Sequence, residues 1–233
     1  MEKRFKFIDI GYSKLNLHGS PTKIGKHRFY EVQNKMYPSV STVLNAKPKE
    51  WLIRWKKNVG EDVAKHIQET SSARGSAVHK LIEDYLRGAM QQEIFDTLPC
   101  SLFLQMKPEL DMHINNIHLI EEHLFGNKIG LAGRVDCIAE YDGTLSVIDF
   151  KTSTKHKKYM SKEHGMQCAG YALMYEEMFN TKIEQLVIIN TSEESTVETH
   201  IKPVQKYIEP LQEEIEWFNK NIMINLTNEE III

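Results

Sequence analysis

GRVDCIAEYDGTLSVIDFKTS, residues 133–153, has the pattern of two paired strands that carry charges where such strands are normally apolar. Apolar residues alternate on both sides of Tyr141-Asp142-Gly143-Thr144, and an Asp-Gly pair between two such runs signals a hairpin closed by a two-residue type I′ turn. Pairing then steps outward from Tyr141 opposite Thr144. This places Asp136 opposite Asp149 and, on the same face, Arg134 opposite Lys151. Opposed residues hold their Cβ atoms about 4.5–5.5 Å apart, where like charges destabilise. A cation between the two carboxylates would relieve the repulsion. A raised pKa on one of them is the other remedy, but the neighbouring Lys151 argues for ionised carboxylates. A solvated edge hairpin would account for a lone aspartate. Asp136, Asp149 and Lys151 converging on one face point instead to a metal site, and the repulsion predicts that Asp149→Asn raises thermal stability without metal.

The rest of the chain gives that hairpin a setting. With 233 residues, 41% of them hydrophobic, it is long enough to bury one good core, alone or with a helical lobe. No apolar run approaches a membrane span. The first residues, MEKRFKFIDIGYSKLNLHG, alternate like a strand and include Glu2 and Asp9. They resemble neither a signal peptide nor a transit peptide, so a cytoplasmic location is expected. Cys100, Cys137 and Cys168 are odd in number, far apart and form no CxxC. That disfavours a disulfide framework, a zinc site or an iron–sulfur cluster and predicts reduced packing residues.

The formal net charge of −3 conceals a strong regional split. Residues 47–58, KPKEWLIRWKKN, set five basic side chains against Glu50, with Trp51 and Trp55 interleaved. Residues 151–164, KTSTKHKKYMSKEH, set five lysines against Glu163, with His156, His164 and Tyr159 among them. Acidic residues gather elsewhere, notably from Glu209 to Glu216. Such asymmetry suits a polyanion bound on one face, and Trp51, Trp55, Tyr159 and His156 are candidate stacking platforms for a single strand. Either segment alone would read equally well as solvated surface, and the tryptophans as core.

Periodicity supplies the order of elements. Short strands and turns are expected over 4–33 and a helix start at Pro38-Ser39, with Ser39 or Ser41 as cap. A mainly helical lobe is expected over 38–116. Within it Val78, Leu81, Ile82, Tyr85 and Leu86 form an apolar stripe, with His79 and Glu83 neighbours on its flank, and a second helix falls at about 107–116. Strands at about 117–125, 129–140 and 144–151, a helix over 163–179 and strands near 184–190 and 196–202 make a sheet core over 117–202. A C-terminal helix over 203–225 places Ile208, Leu211, Ile215, Phe218 and Ile222 on one face. The whole, residues 1–233, is expected to be one domain of mixed α/β class.

GSAVHKLIE (75–83), GRVD (133–136), IDFKTS (148–153) and QCAGY (167–171), in that order, resemble the PD-(D/E)XK nuclease superfamily in its RecB-like branch. Within the branch the chain is most similar to the mitochondrial genome maintenance exonucleases and their phage-encoded relatives. PSVSTVL (38–44) and the basic LIRWKK (52–57) match segments that precede the His-bearing helix there. The resemblance covers about residues 24–190. It implies a restriction-endonuclease-like core, a mixed central sheet flanked by helices, plus the helical lobe. It further implies that His79, Asp136, Asp149 and the Phe150 carbonyl hold Mg²⁺ or Mn²⁺, and that Lys151 positions or activates water. Glu83 would assist at a second metal or through water, and Gln167 and Tyr171, sharing a helix face, would buttress the site or touch the strand. The family's proline-like position is absent, since Val135 precedes Asp136.

Contacts to the nucleic acid are expected from Ser39, Thr42, Trp55, Lys56, Arg74, Thr152, Ser153 and Lys155. A histidine among the ligands tilts the metal preference towards Mn²⁺. The function so implied is a metal-dependent exonuclease on DNA, single-stranded by preference, in DNA processing, replication, recombination or repair. For a phage-encoded chain the location would be the host cytoplasm. The rivals are a structure-specific or duplex DNA endonuclease of the same fold and a non-catalytic nucleic-acid binding module.

Overall fold

The computed structural model describes residues 5–15, 21–90 and 96–228. At its centre β4 (Ile114–Gly126), β5 (Leu131–Tyr141) and β6 (Thr144–Ser153) run as an antiparallel meander. β7 (Gln185–Ser192) then pairs parallel to β6, and β8 (Val197–Pro203) returns antiparallel on β7, giving the order β4-β5-β6-β7-β8. A parallel neighbour requires a crossover, which α5 (Lys162–Phe179) supplies.

β6 is central and buried on both sides, and its apolar run VIDF reflects cover by helices on each face. On one face α5, α6 (Gln205–Phe218) and α1 (Val40–Leu44) pack Tyr171, Tyr175, Leu211 and Val43 against Val135, Ile138, Val147 and Ile188. On the other, α4 (Leu98–His113) and the end of α3 (Glu61–Leu86) pack Val78, Ile82, Leu102, Phe103 and Met106 against Cys137, Ile148, Phe150 and Ile189. The sequence places Leu102, Phe103, Met106 and Leu110 along one side of α4. Their burial carries the helix through Pro108, so it starts well before the expected 107 and ends at His113, where β4 begins.

Three shorter strands, β1 (Pro21–Ile24), β2 (His27–Val32) and β3 (Lys35–Pro38), form a separate antiparallel sheet. Ser39 caps α1 as expected, its Oγ accepting from the Thr42 backbone N–H at 3.0 Å. The strand expected at the amino terminus falls partly outside the described residues. Within 5–15 Phe7 bridges Ile117 and Tyr12–Leu15 makes one 3₁₀ turn.

The segment expected as a helical lobe divides in two. α2 (Glu50–Val59) buries no residue, and over 61–73 α3 buries only Ala64. α2 and the first half of α3 therefore stand away from the sheet, while 74–86 and α4 are part of its cover. Residues 91–95 of the expected lobe lie outside the described residues. Cys100, Cys137 and Cys168 are buried and unbonded, and among the described residues no helix is long and apolar enough to cross a membrane.

Candidate active site

The Asp-Gly turn sets the hairpin register: Tyr141 pairs with Thr144, and pairing continues to Cys137 with Ile148. It is not carried on to Asp136 and Asp149. Leu131 and Val135, with Gly133 under Tyr171, belong to the α5 side of the sheet, whereas Cys137 and Tyr141 pack towards α4. Residues two apart on a regular strand share a face, so the alternation slips at Asp136. One consequence corrects the expected opposition of Arg134 and Lys151. Arg134 turns towards Glu121, with Nη2 2.6 Å from Oε2, while Lys151 pairs with Asp149.

β4 is irregular at the same level. Glu121 has a left-handed φ of 52°, a conformation that costs a non-glycine residue about 1–3 kcal/mol and gathers at functional sites. The kink brings its carboxylate to His79 and Asp136, and one ligand atom from each of the three lies within 4.8 Å of the others. His79 comes from the packed end of α3. Its Nδ1 is 3.3 Å from Glu121 Oε1 and 3.6 Å from Asp136 Oδ1, and its Nε2 donates to the Phe150 carbonyl at 2.8 Å. Asp136 Oδ2 in turn accepts from the Phe150 backbone N–H at 3.0 Å.

Burial disfavours the imidazolium of His79, but Asp136 and the bond to Glu121 outweigh it and push its pKa up to about 9. Burial raises the Asp136 carboxyl to about 6, against the pull of His79 and with the charge of Asp149. Glu121, despite burial, is held below its usual range by His79 and Arg134. Without metal the chain thus uses both remedies for crowded carboxylates, a raised pKa on Asp136 and a cation, the imidazolium, among its acceptors.

Lys151 Nζ lies 2.7 Å from both carboxylate oxygens of Asp149. Burial works against its charge, yet Asp149 and Asp136 raise its pKa above the ordinary lysine value, so it stays an ammonium. Among the described residues Asp149 Oδ2, buried and close to Nζ, has no hydrogen bond of proper geometry. A carboxylate, carboxylate and imidazole set with an orphaned carboxylate oxygen nearby fits a divalent cation. His79, Glu121 and Asp136 would be its holders, and Asp149, expected as a ligand, lies outside that set of three and holds Lys151.

Behind the hairpin, Gln167 hydrogen-bonds Tyr171 on the buried side of α5, and burial raises the Tyr171 pKa well above its ordinary value. A Cβ built on Gly133 would sit 2.9 Å from Tyr171 Cε1. Gly133 is therefore a glycine because the ring lies on the backbone there. Gly133→Ala is expected to destabilise by roughly 1–3 kcal/mol through overpacking, and Tyr171→Leu in the same chain to restore most of the loss, read as midpoints of urea unfolding. An alanine variant as stable as the parent would mean that the ring does not rest there.

Glu83 lines a cavity with Gly75, Ser76, His79, Glu121 and Arg134, and is ion-paired to Arg87 at 3.1 Å and Lys80 at 3.3 Å. Arg74 joins the far end of β6 by pairing with Glu193, whose N–H donates to the Ser153 carbonyl at 3.1 Å. Thr152 borders Gly75 of α3, so Arg74, Thr152 and Ser153 come together. Ser153 Oγ donates to the carbonyl of the exposed Lys155 at 2.8 Å. Trp55 and Lys56 stand on α2, half-buried and apart from the sheet. Ser39 and Thr42 lie beside Ala132 and Arg28, their hydroxyls engaged by the α1 cap and the Arg28 backbone. Glu121 was missed from sequence. Its signal is the Glu121-Glu122 doublet inside the apolar run IHLIEEHLF (117–125), where alternation must turn one acid inward.

Residues 103–225, more than half of the chain, match the PD-(D/E)XK nuclease superfamily. The mitochondrial genome maintenance exonuclease 1 of Homo sapiens is 25% identical over 183 residues, which cover 72% of this chain and 53% of that protein. Its namesake from Xenopus tropicalis is 26% identical over 193 residues, 77% and 56% of the two chains. That from Mus musculus is 29% identical over 146 residues, 59% and 41%. The chain spans about half the length of the curated relatives it matches. The matched region begins within α4 and runs through the kinked hairpin, Lys151 and the Gln167–Tyr171 buttress: the chain belongs to the PD-(D/E)XK nuclease superfamily.

Proposed function

We propose that the protein is a metal-dependent DNA exonuclease that prefers single strands. The observation that carries the reading is the meeting of His79, Glu121 and Asp136 around one point, beside an ammonium held by Asp149. A divalent cation held there would supply Lewis acidity to a phosphate oxygen and acidify water. Hydrolysis joins the water oxygen to phosphorus as one ester P–O bond breaks, with the water's proton ending on the leaving oxygen. Lys151, kept protonated, places a fixed positive charge where negative charge develops on the phosphate. It is not the group that takes the water's proton. Asp149 orients Lys151, and Gln167 and Tyr171 hold β5 in position behind Asp136.

The name exonuclease comes from the relatives described above. Single-strand preference draws support from α2, which presents Trp51, 65% exposed, with Lys57 on a helix free of the sheet; exposed aromatics among cations serve single strands without sequence preference. The test is digestion of end-labelled linear and circular single strands and duplexes with Mg²⁺, Mn²⁺ or EDTA. Linear single strands should be degraded and circles spared, with nothing cut in EDTA. Cut circles would make the protein an endonuclease, and intact DNA in every tube a binding module.

A further inference from the structure

The rows of the sheet that hold Asp149 and Lys151 continue past the catalytic hairpin. Asp149 registers with Ile188 and Ile188 with His200; Lys151 registers with Asn190 and Asn190 with Glu198. Registered neighbours share a face. A cavity of about 270 Å³ opens over these rows, with Lys151 in its wall and Lys157, Tyr159, Ser161, His164, Asn190 and His200 around it. It is distinct from the cavity that contains His79 and Glu121, which Lys151 does not line.

We propose that this second cavity binds the phosphate of the nucleotide next to the one being cut. The inference rests on the nuclease reading and adds a subsite to it. Among the described residues His200 Nε2, which is buried, has no hydrogen-bond partner, and a buried polar atom left so is costly unless a ligand completes it. Apart from Met160 and Ile188 the lining is polar, with two lysines and two histidines in it. Burial first, then Lys151 and Lys157, lower the His164 pKa against the opposing charges of Asp149 and Glu163. Ser161 caps the amino end of the long helix α5, where anions are favoured, with its own hydroxyl already donating to Glu163 of the first turn. The carboxylates nearby are engaged: Glu198 accepts from Asn190 at 2.9 Å and pairs with His156, and Glu163 faces Lys49 at 3.4 Å. The volume lies just under the range of about 300–1,000 Å³ typical of small-ligand pockets, enough for one phosphate and its sugar. Tyr159, 76% exposed with Lys158 Nζ 5.4 Å from its ring centre, offers a platform for the base at the mouth.

The test is equilibrium binding in EDTA, where no strand is cut, of fluorescent single-stranded hexanucleotides carrying one neutral methylphosphonate at each position in turn. For the parent protein, one position should cost about tenfold in affinity more than the rest, the size of a charged hydrogen bond. His200→Ala, and separately the exposed Lys157→Ala, should weaken the unmodified strand about tenfold and be insensitive to the methylphosphonate at that position. Equal penalties in parent and variants at every position, or no binding in EDTA, would overturn the subsite. Cleavage of the unmodified strand by the parent in Mn²⁺ tests the nuclease reading separately, so failure of one is not failure of the other.

Discussion

Replacing Lys151 by methionine or Asp149 by asparagine is expected to lower strand cleavage by about 10²–10³-fold, the usual loss when a transition-state charge is removed. Each change should also lower the stability of the metal-free protein, by roughly 3 kcal/mol. The second effect reverses what the hairpin sequence suggested for Asp149→Asn, because the Lys151 ammonium that holds Asp149 at 2.7 Å outweighs the repulsion between Asp149 and Asp136. Removing either partner strands the other, and both are largely buried, with 22% and 2% of their side chains exposed. The double variant, with no charge left over, should recover most of the lost stability and remain inactive. Urea unfolding in EDTA and single-turnover cleavage with excess metal measure the two effects. An Asp149→Asn protein more stable than its parent would sink this account of the pair and return to carboxylate repulsion.

Divalent-cation affinity should rise about tenfold between pH 7 and 8 and level off around pH 9. His79, with its pKa pushed up to about 9, is an imidazolium at neutral pH and must lose a proton to become a ligand. At pH 7.5 about one proton should therefore leave per Mn²⁺ bound, measured by calorimetry in two buffers of different protonation enthalpy. His79→Ala should bind more weakly, lose the pH slope and regain part of its cleavage at high Mn²⁺, whereas Asp136→Ala should regain none. Stability has the opposite sign without metal. A pKa raised from 6.5 to about 9 contributes stability that is whole below pH 6.5 and lost as pH rises to 9, so the metal-free chain should melt at lower temperature as pH increases across that window. A His79→Ala slope equal to the parent's would mean that the released proton comes from another group.

The sequence made the hairpin legible because its determinants are local. Asp142-Gly143 fixes the turn, and both residues take positive φ, 50° and 74°. His79, Asp136 and the Phe150 carbonyl were likewise expected together, and the structure brings them together. Glu121 was not expected, since its place depends on a backbone slip that no propensity encodes. A regular strand would have kept Arg134 opposite Lys151. The kinks at Glu121 and Asp136 instead send Arg134 to one cavity and Lys151 to the other. The start of α4 was missed for a related reason: Pro108 argues locally for a helix start, and burial of Leu102, Phe103 and Met106 against the sheet overrides it. Residues 40–113 are mostly helical, but helical periodicity does not say whether a face meets a sheet or solvent.

α3 joins the two regimes in one uninterrupted rod of 26 residues, roughly 39 Å long. His79 sits in the half that is clamped to the sheet, while 61–73 meet solvent almost throughout. Mutational tolerance should follow that boundary. Exposed substitutions away from caps and cores cost within about 0.5 kcal/mol, so the outer half and α2 can be rewritten in charge and aromatic content without moving the imidazole, whereas a change at Val78 or Ile82 displaces it. A lineage of such proteins can therefore change the character of this outer surface while the imidazole stays where it is.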